Sequence, residues 1–138
     1  MAAGNVAEAT QTIESTVFDG VKHAILHIGT NDVETRKPYD LIGNEIIQVA
    51  LKIKKATNAV TYISLLPPRS DNLHEKCRQV NEHIRKSLPE SIMLIDHMNV
   101  EVSDLYDKKH LKENAVRKIV GNMKDHIRDI CYVVLADM

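Results

Sequence analysis

The pattern of this sequence predicts an α/β domain built on a parallel sheet. Short apolar runs, His23 to Ile28, Ala59 to Leu66 and Ile92 to Ile95, alternate with stretches of helical periodicity. The runs are nearly continuous in apolar residues, as strands are when helices cover both faces of a sheet. Each intervening stretch is long enough for the helical crossover that parallel strands require.

The elements follow in order. Asn5 with Glu8 three residues later reads as a capping box, and Val6, Ala9 and Ile13 give the helix behind it one apolar face. Asp19-Gly20 marks a turn before the first strand, which stops at Gly29. Pro38 suits the first turn of a helix, and behind it Ile42, Ile46, Val49 and Ile53 recur at helical spacing. Pro67-Pro68 ends the second strand, since proline donates no ladder hydrogen bond. Asp71 is expected to cap the next helix, whose stripe is Leu73, Cys77, Val80, Ile84 and Leu88 and which Pro89 closes. After the third strand a polar loop leads to a last helix. It carries Leu111, Ala115 and Ile119 on one track and Val116, Val120, Met123 and Ile127 on another. The apolar tail, Cys131 to Ala136, either continues this helix or forms an edge strand.

A chain of 138 residues predicts one domain, spanning 1–138. With no Trp and aromatics at only 4%, its core must pack aliphatic side chains. A net charge of -1 gives no global field toward nucleic acid or an anionic membrane. The opening MAAGNVAEAT has neither the basic nor the apolar region of a signal peptide. No apolar run approaches the ~20 residues of a bilayer span. Cys77 and Cys131 form no CxxC pair and sit in apolar-periodic stretches, so both are expected reduced in an intracellular, cytoplasmic setting.

Chemistry in such sheets sits outside the carboxyl ends of the strands. Two sites qualify. Gly29-Thr30-Asn31-Asp32 follows the first strand directly. Alone it reads equally as a plain turn, because Gly, Asn and Asp all favour turns. The functional reading is an oxyanion site: glycine lets the backbone bend tightly, and the Asn31 amide supplies an N–H donor to a developing negative charge. The second site, Asp107-Lys108-Lys109-His110-Leu111, enters the last helix. Alone it is a solvated charged loop. The functional reading is an Asp–His pair in which the carboxylate fixes the tautomer and stabilises the imidazolium, freeing the other ring nitrogen as base.

His23, His27, His74, His83, His97 and His126 form no compact metal-ligand spacing, and no strand is followed by GxGxxG or a P-loop. No metal or cofactor is therefore expected, and a nucleotide-binding α/β domain is set aside. Lys52, Lys54 and Lys55, and the basic residues between Lys108 and Arg128, read as solvated helix faces.

Together the two sites resemble blocks of the SGNH (GDSL-like) serine hydrolase family. Its Gly-x-Asn-Asp block is matched by Gly29, Asn31 and Asp32, and its Asp-x-x-His block, often followed by Leu, by Asp107, His110 and Leu111. The strand end Leu65 to Arg69 (LLPPR) is also similar to esterase-like domains carried by some non-LTR retrotransposons. The resemblance implies a flavodoxin-like three-layer α/β/α sandwich that hydrolyses a small ester or acyl group. A serine attacks, His110 acts as general base, Asp107 orients it, and Asn31 holds the oxyanion. Gly4 is the candidate for a second-block glycine whose N–H joins that hole. The family opens with a strand ending in Gly-Asp-Ser, which lies in the middle of the sheet beside the strand matched here by His23 to Ile28.

No Gly-Asp-Ser occurs in this sequence. The resemblance therefore implies an N-terminally truncated domain of about three strands whose first strand becomes an edge, a template for self-association unless the N-terminal segment covers it. It further implies an esterase-type domain without its nucleophile and hence without activity. The alternative is a non-catalytic relic or binding module of a mobile element.

Overall fold

The apolar runs become strands and the periodic stripes become helices. A computed structural model describes residues 3–105, 111–127 and 132–136. In chain order the elements are α1 (Val6–Ser15), β1 (His23–His27), α2 (Tyr39–Thr57), β2 (Val60–Ser64), α3 (His74–Ser87), β3 (Ile92–Ile95), α4 (Glu113–His126) and β4 (Tyr132–Ala136).

Local chemistry sets the helix ends. The Asn5 side chain accepts the Glu8 N–H at 2.9 Å and caps α1. The Glu8 carboxylate does not complete the box at Asn5; it takes the N–H of Gly4 instead. Pro38 sits at the N-cap of α2, and the helix ends at Asn58 in the left-handed conformation (φ 54). Asparagine tolerates that conformation, and its N–H returns to Lys54 O at 2.7 Å. The expected cap of α3 moves by two residues. The N-cap is Leu73, while Asp71 accepts the Leu73 N–H at 3.2 Å in a turn one step earlier.

All four strands are parallel, in the order β3-β2-β1-β4. Helices α1, α2 and α3 cover one face, where Val6, Ala9, Ile46, Ile53 and Ile84 pack with Ala24, Leu26, Ile63 and Leu135. The opposite face, formed by Ile25, Tyr62 and Ile95, packs against Ala115, Ile119 and Met123 of α4. The result is a three-layer α/β/α arrangement, as the alternating pattern predicts.

Two expectations need correction. The sheet has four strands rather than three, and β1 is not an edge. It pairs with β2 on one side and with β4 on the other, where His23 to His27 align with Tyr132 to Ala136. The tail resolves as a strand because Tyr132, Val133 and Val134 are β-formers and because pairing satisfies the backbone groups that β1 would leave open. The N-terminal segment joins there too, with the Ala3 N–H donating to Ala136 O at 3.1 Å. Cys77 is buried and free, and burial pushes its thiol up to about 11; Cys131 lies outside the described residues. Among the described residues no helix is long and apolar enough to cross a membrane.

Candidate functional site

The carboxyl end of β1 turns at Gly29, with φ at 123, a conformation that side chains other than glycine rarely adopt. Space imposes the same residue: a Cβ there would meet Leu66 Cδ2 at 2.8 Å and Ile46 Cδ1 at 3.1 Å. Beyond it a single 3-10 turn, Asp32–Glu34, presents the next two motif residues to the N-terminal segment. The Asn31 amide donates from Nδ2 to Gly4 O at 2.8 Å. The buried Asp32 carboxylate accepts the Val6 N–H at 3.3 Å, at the electropositive start of α1. Burial raises the pKa of Asp32, while the Val6 N–H and the Lys37 ammonium pull it the other way.

The two sequence motifs thus fare differently. Gly29, Asn31 and Gly4 come together, close to the end of β4 through the Ala3–Ala136 bond. Asp107 and His110 lie outside the described residues. The residues that bracket them are described: Leu105 and Leu111 form an antiparallel bridge, and the Lys112 N–H donates to Asp104 O at 2.7 Å.

An oxyanion hole needs N–H donors aimed at the position where negative charge develops. The Gly4 N–H instead donates to Glu8 Oε2 at 2.6 Å. A carboxylate at that donor repels a second anion.

Two further constellations were not read as sites from the sequence. Arg69, the last residue of LLPPR, has a side chain only 3% exposed. Its guanidinium grips Asp71 through two bonds (2.9 and 2.6 Å) and reaches Glu34 Oε1 and Thr30 O, each at 3.2 Å. It clamps the loop after β1 to the segment after β2. Asp71 holds the guanidinium pKa above its ordinary value, and the Asp71 carboxyl falls in return.

The other constellation crosses the sheet on the α4 side. His27 Nδ1 lies 2.6 Å from Ser64 Oγ, and Ser64 Oγ lies 2.5 Å from His97 Nε2. All three residues are buried. His97 Nδ1 faces Asn122 Nδ2 at 2.9 Å, and the same amide donates to Asn99 Oδ1 at 2.8 Å. These bonds assign the tautomers. The Asn122 amide donates to His97 Nδ1, so His97 carries its proton on Nε2 and donates to Ser64, whose hydroxyl donates to His27 Nδ1. Burial lowers both imidazoles, His27 to about 3 and His97 to about 4. In the sequence, His27 and Ser64 stand only as polar residues within apolar runs.

This arrangement, a parallel α/β/α sandwich with a Gly-x-Asn-Asp turn meeting a glycine outside the strand ends, defines an SGNH-like fold. It matches a crystal structure of a member of the lipolytic protein G-D-S-L family from Veillonella parvula with a TM-score of 0.74 at 19% identity, covering 88% of this chain and 73% of that one. It also matches the OSK domain of Drosophila Oskar with a TM-score of 0.72 at 13% identity, covering 91% of this chain and 71% of that one. No protein-family model matches the sequence, and neither does any curated protein.

Proposed function

We propose that this chain is an SGNH-type serine-esterase domain that does not turn over esters. The parent chemistry is attack by serine on a small ester or acyl group, with His110 as general base, Asp107 orienting it and Asn31 with Gly4 at the oxyanion. The observation that carries the reading is the strand beside β1. The resemblance puts the nucleophile strand beside the strand that ends at Gly29, and β4 pairs there, parallel, ending next to the Gly4 segment. No Gly-Asp-Ser occurs in the sequence to supply a serine at that place, and without a nucleophile no acyl-enzyme forms in the serine manner. The Glu8 carboxylate on the Gly4 N–H supports the same reading.

The similarity of LLPPR to retrotransposon esterase-like domains adds no separate support for a mobile-element origin, because the buried clamp of Arg69 already accounts for that residue. The test is steady-state hydrolysis of short-chain p-nitrophenyl esters by the full chain beside His110→Ala. Equal, background-level rates are expected. Turnover by the parent chain that His110→Ala abolishes would overturn the proposal, since these residues act as a unit and loss of the base then removes most of the rate.

A further inference from the structure

The sequence contains seven histidines, and four of them meet in one seam between the sheet and α4. His27 and His97 sandwich the Ser64 hydroxyl, and His97 leads on to Asn122 of α4. Beside them, His23 Nδ1 lies 3.2 Å from the Tyr62 hydroxyl. The Tyr62 ring meets the His126 ring edge-on at 6.1 Å, and His126 Nδ1 lies 2.9 Å from Asn122 O. The polar ties from α4 to the β1–β2 surface therefore pass through imidazoles.

We propose that this seam is an acid-released latch: protonation of His27 and His97 undocks α4, while α1, α2 and α3 stay packed on the other face. The hydrogen-bond chain gives the reason. Asn122, His97, Ser64 and His27 each donate to the next, and the neutral tautomers use every proton along that path. A proton added to His97 Nδ1 would face the Asn122 amide donor, and one added to His27 Nδ1 would face the Ser64 hydroxyl proton. Either addition sets donor against donor in a buried site, where an unmatched polar group is most costly.

The surroundings give the new charge little relief. The β3 end contributes Asp96, whose charge favours protonation of His97 but whose carboxylate is already engaged by Arg85 of α3 and by the His97 backbone N–H. α4 contributes the Asn122 amide and His126, and a charge on His126 opposes one on His97. β2 contributes Tyr62 and Ser64, β1 contributes His23, and the loop after β3 contributes Asn99. The core between the sheet and α1, α2 and α3 is aliphatic and holds none of these imidazoles.

The direction follows from linkage. Burial keeps both imidazoles neutral while α4 is docked, with His97 at about 4 and His27 at about 3. Released into water they return toward the free value of about 6.5. The open form therefore binds protons that the docked form does not. Docking is fully present above roughly pH 6.5 and is lost as pH falls toward 4. Each pH unit in that window multiplies the opening constant by up to about tenfold per proton, hence about a hundredfold when both sites fill.

Native-state amide exchange on the full chain, followed by NMR from pH 7 to 4.5 and corrected for intrinsic rates, tests this directly. The opening constant of α4 amides, Val116 to Met123, is expected to rise with a slope approaching two protons. The α2 amides, Ile46 to Ile53, should open with a smaller constant than the α4 amides at every pH in this range. In His97→Gln the α4 slope should fall to one proton, whereas in His83→Gln, on α3 and away from the seam, it should not change. The proposal is overturned if α4 amides ignore pH, if α2 and α4 open together with one opening constant at every pH, or if His83→Gln alters the α4 slope. Should His97→Gln fail to fold, the parent chain's α4 slope and the gap between its α4 and α2 opening constants still decide the matter.

Discussion

At the scale of single residues, Gly29 has the most demanding position in the fold. It bends the chain out of β1 at φ 123 and allows Leu66 and Ile46 to close over its backbone. Gly29→Ala adds backbone strain of about 1–3 kcal/mol and a methyl group that must displace two core side chains. We expect a total loss of about 2–4 kcal/mol in urea unfolding with an unchanged m-value. A loss within experimental error would mean that the turn does not have this geometry. The glycine was legible in the sequence because strand, glycine, Asn31 and Asp32 stand together. The contacts of its neighbours were not. Asn31 gives an amide proton to the Gly4 carbonyl, and Asp32 accepts at the start of α1. Nothing local distinguishes a side chain aimed at a ligand from one aimed at a segment 26 or 27 residues away. His27 and Ser64 were harder still. Each is a polar residue within an apolar run, and only the alignment of β1 with β2 brings them to within 2.6 Å.

Among the elements, those with a strong period were readable and those defined by a distant partner were not. The stripe Ile42, Ile46, Val49 and Ile53 is buried along α2, and Cys77, Val80 and Ile84 are buried along α3, because an amphipathic helix contains its own signal. The tail from Cys131 to Ala136 carried no such signal. Its short apolar run suits either a helix end or a strand, and only the open side of β1 decides between them. That pairing gives β4 a clear energetic role. Leu135 is fully buried against the α1–α2 side, and the strand supplies partners to β1 along its whole length. A chain shortened to end at Ile127 should lose about 3–5 kcal/mol from the buried side chain and the broken ladder. It should also self-associate through the bared edge of β1, since unpaired strand edges recruit others. Urea unfolding of the two lengths checks the first half and sedimentation velocity the second. A shortened chain that remains monomeric and equally stable would remove β4 from the sheet.

For the whole molecule, the order β3-β2-β1-β4 changes what it would take to restore chemistry. The resemblance to serine hydrolases puts a strand ending in Gly-Asp-Ser beside β1, and in this fold β4 fills that place. A segment with such a strand, fused ahead of Ala3, must therefore compete with β4 for the same backbone groups. β4 wins in the full chain, because it already buries Leu135 and bonds to Ala3 through Ala136. We accordingly expect the fusion to leave the full chain inactive and its added strand susceptible to proteolysis. The same fusion on a chain ending at Ile127 has an open site on β1. There the added strand should restore stability and bring a serine beside Asn31 and Gly4, with ester turnover that His110→Ala removes. Glu8→Gln in that background should raise turnover further, because it takes a negative charge from the Gly4 N–H without removing the side chain. Stability without turnover in the shortened fusion would mean that β1 accepts the strand while the remaining residues no longer assemble a site. Turnover in the full-length fusion would mean that β4 yields its place readily, and the assignment of that strand as a fixed part of the sheet would fall.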